Sequence, residues 1–328
     1  MKKASAIVYH EYGNPVETVR VEELELPAPG SGEVLVEIKA APINPADLNT
    51  IEGKYPVKPA LPAVPGIEGV GIVSETGTEV ALLKKGSLVL LPHGIGTWRE
   101  AAVVPEKDLI TIPDDAPLEQ AAMLKINPPT AWRILHDFVT LKPGDWMIQN
   151  AANSGVGRAA IQIAQSLGIK TVNIVRRQEL VDELKAEGGD VVLVEGDELK
   201  ERVREATGGA KIRLAFNSVG GESALNIANT LANGGVVVTF GAMSKQPLRI
   251  PNGLLIFKDL SWRGFWLTRW YQNAGREERD TMFASLVPLL RNGKLKSKIE
   301  KTYPLSEARG AITRALEGKR DGKILFRM

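Results

Sequence analysis

Up to about residue 120, apolar positions come in short or alternating runs: AIVYH, GEVLVEIKAAPI, EGVGIVSETG, GSLVLLP and REAAVVP. Gly and Pro punctuate them, as in PAPGSGE and PAVPGIEG. Short runs bounded by turn residues are the signature of strands. A polar, turn-rich stretch, NPADLNTIEGKYPVKP, lies among them. The pattern predicts an all-β, barrel-like unit carrying functional loops.

The period then changes. LEQAAMLKINPPTAWRILHDF has helical spacing, broken at Asn127-Pro128-Pro129. From Asp145 the order is strand (DWMIQNA), Gly turn, helix (RAAIQIAQSLG), strand (KTVNIV), helix (QELVDELKAEGG) and strand (DVVLV). A helix (ELKERVREATGG), strand (IRLAFNSV), helix (GESALNIANTLANGG) and strand (VVVTFGA) follow. Such alternation predicts a doubly wound parallel sheet with helices on both faces. The charged LVDELKAEG and ELKERVREA read as solvated helix faces. The tail from about residue 280 again has helix, strand and helix character and ends in KILF. A tail of this kind returns to the first domain, which makes the nucleotide unit an insertion.

Composition narrows the chemistry. A chain of 328 residues is long for one core and suits two domains. The net charge of +2 supplies no global field for nucleic acid or an anionic membrane. There is no cysteine, which removes disulfides, thiolate chemistry and any cysteine-held zinc. The histidines, His10, His93 and His136, are scattered without metal-ligand spacing, and no metal is expected. No apolar run approaches the ~18 residues of a membrane span. The start, MKKASAIVYH, is too short in apolar run for a signal peptide. Cytoplasmic residence is the expectation, although a mature chain stripped of a transit peptide would read the same.

Residues 149–168, QNAANSGVGRAAIQIAQSLG, carry the cofactor question. A strand ending at Asn150, a Gly turn and a helix beginning near Val156 make a pyrophosphate site, because free N–H groups and the helix dipole point at the anion. Against the GxGxxG spacing the positions are Ala152, Asn153, Ser154, Gly155, Val156 and Gly157. Ala152 and Ser154 replace two glycines and are small enough for close approach. Gly157 keeps the position that lets helix and strand pack. An NAD site wants an acid after the next strand, for the ribose 2′-hydroxyl. KTVNIV ends instead in Arg176-Arg177, which suits a 2′-phosphate, and NADPH is expected over NADH.

With NPADLNTIEGKYPVKPALPAVPGIEGVG, GTWREAAV, INPPTAWRIL, GAMSKQP and LIFKDLSWRGFWLTRW, the chain resembles the zinc-free medium-chain dehydrogenase/reductases. The closer match is to mitochondrial-type trans-2-enoyl-thioester reductases. That resemblance implies an α/β protein of two parts. One is a GroES-like β-barrel catalytic domain, residues 1–122 and 270–328. The other is a doubly wound Rossmann NADPH-binding domain with a parallel sheet, residues 123–269. It implies reduction of the 2,3-double bond of an acyl-CoA or acyl-carrier-protein thioester with Tyr55 as proton donor. It carries cofactor contacts to Asn127, the Asn153–Val156 turn, Arg176 and Arg177. Further contacts fall on Gly241, Ala242, Met243 and Ser244, on Phe265, Trp266 and Leu267, and on Lys323. The family tends to place an acid between two arginines, whereas Arg176-Arg177-Gln178 stands here. The resemblance also implies a homodimer through the Rossmann sheet, with VVVTFGA as the edge region.

The residues support the chemistry independently. Reduction of an enoyl thioester needs a hydride, stabilisation of charge on the thioester oxygen and a proton at the α carbon. Tyr55 lies in a polar loop between Lys54 and Pro56; it either donates a proton, since a phenol stays protonated at neutral pH, or anchors the turn. Asn44 either orders the nicotinamide ribose or the Tyr55 loop, or caps a turn. Thr130 and Trp132 either wall the nicotinamide or pack the core. Trp266 either lines the acyl channel or joins an aromatic interface cluster. Two readings compete with the thioester reductase. One is a zinc-free NADPH:quinone or activated-alkene reductase; the other is a non-catalytic NADPH-binding protein.

Overall fold

The computed structural model describes residues 2–318 and 320–328. Fifteen strands lie among the described residues: Lys2–Tyr9 (β1), Val19–Leu26 (β2), Glu33–Pro42 (β3), Val70–Thr76 (β4), Leu88–Leu90 (β5), Ala101–Pro105 (β6), Ile110–Thr111 (β7), Trp146–Gln149 (β8), Lys170–Val175 (β9), Val191–Val194 (β10), Ile212–Asn217 (β11), Val236–Thr239 (β12), Ser261–Gly264 (β13), Ile299–Tyr303 (β14) and Lys323–Arg327 (β15). They divide between two compact units, residues 1–126 with 283–328, and residues 127–282.

In the first unit the sheet order is β14-β15-β3-β4-β5-β7, with β6 also on β3, and β1 and β2 form a separate antiparallel pair. Val34, Val36 and Ile38 alternate along β3 into a core with Val73, Val89 and Val104. The tail does return: β15 pairs antiparallel with β3, and β14 runs parallel beside β15. Phe326 on β15 meets the fully buried Trp98 edge to face, ring centroids 5.0 Å apart. Strand β2, VRVEELEL, is not legible as a strand from its apolar run. Only its two end residues are buried, and four glutamate or arginine positions between them face outward or partly so.

In the second unit the order is β10-β9-β8-β11-β12-β13, every pairing parallel. Chain order outward from β8 reverses between β8 and β11, the topological switch of a dinucleotide-binding sheet. Ile148, Val172, Ile174, Ala215 and Val237 build its core with Ile227 and Leu231 from the covering helix and its end.

Two local expectations change. Strand β12, the VVV of VVVTFGA, is not the sheet edge, because β13 (SWRG) pairs outside it. Four largely exposed residues carry no periodicity, so only backbone pairing reveals β13. The break in helical spacing is where it was expected: it separates the helix Leu118–Ala121 from the helix Asn127–Asp137, which Pro128 and Pro129 open, where the missing N–H groups have no helical acceptor anyway. The unit boundaries also lie elsewhere than at 122/123 and 269/270. Residues 123–126 group with the first unit, where the N–H groups of Lys125 and Ile126 donate to Glu68 at 3.2 and 3.0 Å. Residues 270–282 group with the second, where Arg133 lies 4.8 Å from the Trp270 ring centre and 2.9 Å from Glu278. Among the described residues no helix is long and apolar enough to cross a membrane.

Candidate active site

A parallel sheet sends all its strands' carboxyl ends to one edge. Strand β8 runs into residues 151–157 and β9 into Arg176 and Arg177. Strand β12 runs into Gly241–Ser244, and β13 into Phe265–Leu267. Segments more than a hundred residues apart in sequence thus share one rim, around the switch point. Buried side-chain amides tie that rim together. Asn150 Nδ2 donates to Asn217 Oδ1 (2.9 Å) and Ser223 Oγ (3.2 Å), while Asn150 Oδ1 accepts from the Ser218 N–H at 2.9 Å. Asn217 Nδ2 donates to Thr239 Oγ1 at 3.0 Å. The ends of β8, β11 and β12 are fixed to one another by this chain. Sequence reading passed over Asn150 and Asn217; the available signal was an amide at the end of each apolar strand.

The Gly turn is built for close approach. Ser154 caps the helix Gly155–Ser166, its Oγ accepting from the Gly157 N–H at 3.1 Å. A Cβ on Gly157 would sit 2.4 Å from the Ala152 carbonyl oxygen, which no side chain tolerates. A Cβ on Gly155 would sit 2.8 Å from Asn127 Nδ2. The N–H groups of Gly155 and Val156 have no acceptor among the described residues, and neither does the buried Asn127 Nδ2. An unsatisfied buried donor costs about 1–3 kcal/mol, so donors left open at a helix start fit an anionic or carbonyl-bearing ligand. These residues fit a dinucleotide. Thr130, one turn into its helix, is also buried.

Arg176 is exposed and has no ion-pair partner among the described residues, while Arg177 pairs with the exposed Glu179 at 3.2 Å. An exposed pair of this kind is worth little, so it yields readily to a phosphate. In the next segment Gly241 leaves only 2.9 Å between a would-be Cβ and the Ser218 carbonyl oxygen. The N–H groups of Met243 and Ser244 donate to Ser218 and Val219 carbonyls, and the Ala242 carbonyl accepts from Lys245. Phe265 donates its N–H to Thr239 at 2.9 Å and meets the Phe138 ring edge to face. Trp266 precedes the helix Leu267–Asn273, and the Arg269 guanidinium lies 6.0 Å from its ring centre. Leu267 is buried. Trp132 stacks on His136 at 4.2 Å.

The first unit holds a buried polar cluster. Asn44 precedes the helix Pro45–Ile51, and its N–H donates to Asp47 Oδ2 at 2.7 Å. Asn44 Nδ2 donates to Glu68 Oε1 at 2.8 Å, and Asn44 Oδ1 accepts from Lys323 Nζ. Asn44 and Asp47 form a capping box at the start of that helix, and the Asn44 side chain also bridges Glu68 and Lys323. Lys323, expected as a cofactor contact, directs its ammonium into this cluster. Glu68 was not singled out in the sequence. Its signal was an acid at the mouth of an apolar strand, in PGIEGVGIV. Burial raises the Glu68 carboxyl and lowers the Lys323 ammonium, each opposed by the other's charge.

Burial also pushes Asp47 up to about 7, opposed by the Asn44 N–H and aided by the charge of Glu68. Its unfolded value lies near 3.8, so the folded state holds the proton more tightly. That contribution to stability is complete below the unfolded value and is lost as pH rises through about 7. Asn mimics the protonated acid. The melting temperature of Asp47→Asn minus that of the wild type should therefore grow between pH 5 and pH 8, as thermal scans will read.

Tyr55 lies just past that helix, its N–H donating to the Asn49 carbonyl at 3.1 Å, and it is half-buried. Lys54 beside it pairs with Glu52 at 3.0 Å on the exposed surface. The histidines are engaged locally or desolvated: His10 with Glu22, His136 with the Trp132 carbonyl, and His93 pushed down to about 4 by burial and then by the charge of Lys125.

Two family descriptions match the chain: an alcohol dehydrogenase GroES-like domain over residues 30–114 and a zinc-binding dehydrogenase over residues 155–284. A Caenorhabditis elegans protein named mitochondrial enoyl-[acyl-carrier-protein] reductase is 46% identical over 98% of this chain and 94% of its own length. Etr1p, solved as a 2-enoyl thioester reductase heterodimer with Etr2p from Candida tropicalis, superposes with a TM-score of 0.90 at 32% identity over 100% of both chains. The Etr1p/NADP/crotonyl-CoA complex gives a TM-score of 0.90 at 31% identity, also over 100% of both chains. A putative NADPH:quinone reductase from Bacillus thuringiensis gives 0.92 at 29% identity over 100% of both chains. Among the described residues no group of three or more His, Cys, Asp or Glu is arranged to hold a metal. Near-complete coverage at such identity, on a GroES-like unit joined to a parallel switch-point sheet, makes the chain a member of the medium-chain dehydrogenase/reductase family, of its enoyl reductase type.

Proposed function

We propose that this chain is an NADPH-dependent reductase of trans-2-enoyl thioesters. One observation carries the cofactor side: the capped Gly turn, with its open donors and Asn127, shares a sheet edge with an arginine pair where an NAD site would carry an acid. The relative solved with NADP and crotonyl-CoA supports the same substrate class. NADPH supplies the hydride when bound.

The chain's own residues do the rest. The first-turn N–H groups of Gly155 and Val156 bind the pyrophosphate, and Arg176 and Arg177 the 2′-phosphate. Asn127, Thr130 and the 241–244 and 265–267 segments hold the rest of the dinucleotide. Trp266 borders the acyl chain and shields it from water. Tyr55 holds a proton on its phenol oxygen and delivers it to the α carbon as the double bond is reduced. In the first unit Asn44 and Lys323 bond each other, which sets the direction of the ammonium.

The quinone or enone reductase reading is supported by solved neighbours of that name, the Bacillus thuringiensis structure among them. NADPH oxidation with crotonyl-CoA, against quinones and simple enones, separates the two. Turnover of quinones with none of crotonyl-CoA would reject the thioester reading.

The protein works as a homodimer. Leu255, Ile256 and Phe257 are 42, 70 and 81% exposed just before the outermost strand β13, a concentration of apolar surface beside a sheet edge. Sedimentation at a single chain's mass would reject the dimer. Acyl carrier protein is a second carrier of the substrate, and the cytoplasm is where we place the enzyme; pull-down with acyl carrier protein and cell fractionation read these.

A further inference from the structure

The loop that carries Tyr55 is poorly held by its own backbone. After the Tyr55 N–H, the next backbone–backbone bond made by an N–H among the described residues is that of Ala63 to Tyr9 at 3.0 Å. The seven residues between, PVKPALP, contain three prolines, which have no N–H to give. Val57, Lys58 and Ala60 are exposed. The prolines stiffen the segment but leave no N–H at three of its seven positions to tie it to the fold.

Tyr12 supplies what the loop lacks. Its hydroxyl donates to the Pro59 carbonyl at 2.6 Å, near the middle of the prolyl span. Its ring covers the other end of the loop. Gly53 adopts φ +70°, and a Cβ there would lie 3.1 Å from Tyr12 Cβ and 3.2 Å from Cγ, so only glycine sits easily against the ring. The neighbouring Gly13 N–H donates to the Ile51 carbonyl at 3.0 Å, and Lys58 Nζ stands 5.7 Å from the Tyr12 ring centre. Tyr12 is itself seated on the core, 6.1 Å from the ring of the fully buried Tyr9. Contacts at residues 51, 53, 58 and 59 thus bracket Tyr55 on both sides and converge on one turn.

We infer that Tyr12 is a positioning residue: its hydroxyl, bonded to the Pro59 carbonyl, sets the loop that aims Tyr55. This inference rests on Tyr55 being the proton donor. Tyr12→Phe keeps the ring against Gly53 and removes only the bond to Pro59. It should lower kcat with crotonyl-CoA by about fivefold or more, in line with ~1 kcal/mol for one hydrogen bond. The NADPH dissociation constant should stay within twofold and the melting temperature close to that of the wild type, which separates a change of aim from a loss of fold.

A double-mutant cycle with Tyr55→Phe is the test. If Tyr12 acts through Tyr55, Tyr12→Phe costs nothing further once Tyr55→Phe is present. An equal loss in both backgrounds, or no loss in either, overturns the inference while a collapse of kcat in Tyr55→Phe alone leaves the donor reading standing. A harmless Tyr55→Phe sinks both.

Discussion

Tyr55→Phe should lower kcat for crotonyl-CoA by about 10²-fold or more while leaving NADPH binding unchanged, because general acid catalysis typically contributes 10²–10⁴-fold. The substitution removes one oxygen. The Tyr55 N–H bond to Asn49 is backbone and stays, so the loop keeps its anchor to the preceding helix. Stopped-flow measurement of a single turnover, in normal and heavy water, isolates the step. In the wild type the proton-transfer step carries a solvent isotope effect; in the variant it slows and becomes limiting. A quinone or enone reductase, which needs only the cofactor and an open pocket, would lose almost nothing. An unchanged single-turnover rate would therefore remove Tyr55 from the mechanism.

Replacing Arg176 and Arg177 together by Ala should weaken NADPH binding by about 10²- to 10⁴-fold and leave NADH binding within twofold. Each charge-assisted hydrogen bond to a phosphate contributes roughly 1.5–3 kcal/mol, and two are lost. The singles should differ. Arg176 has no ion-pair partner among the described residues, whereas Arg177 must first release Glu179, so Arg176→Ala costs more. Isothermal titration with both dinucleotides reads the ratio directly. Equal affinity of the wild type for NADH and NADPH would end the case for a 2′-phosphate site at this corner.

The fold was legible where burial is periodic. Alternation of strand and helix from Asp145 onward predicts the parallel sheet, because each strand is buried on both faces and each helix on one. The tail's return rests on KILF, an apolar run that pairs with β3. Elements that bury little escape notice. Strand β13 has four largely exposed residues, and β2 shows glutamates along its middle. Pro128 and Pro129 mark the break in helical spacing that separates the helix Leu118–Ala121 from the helix Asn127–Asp137. A proline pair reads as a break at either end of a helix, and only the backbone shows that a helix starts there.

In the candidate site the same division holds. Sequence alone determined what depends on local backbone chemistry: the glycine turn, the arginine corner without an acid, the loop tyrosine and the absence of any thiol. These follow from which side chains lack a Cβ, carry fixed charge or hold a proton at neutral pH. Tertiary structure decided which distant groups meet. It delivered the 241–244 and 265–267 segments to the rim of the glycine turn through strand order. It joined Asn44, Glu68 and Lys323 in one buried cluster, and it set Tyr12 over the Tyr55 loop. Those meetings depend on pairing across tens to hundreds of residues, and no local pattern encodes them, since desolvation and hydrogen-bond partners exist only once the chain has closed.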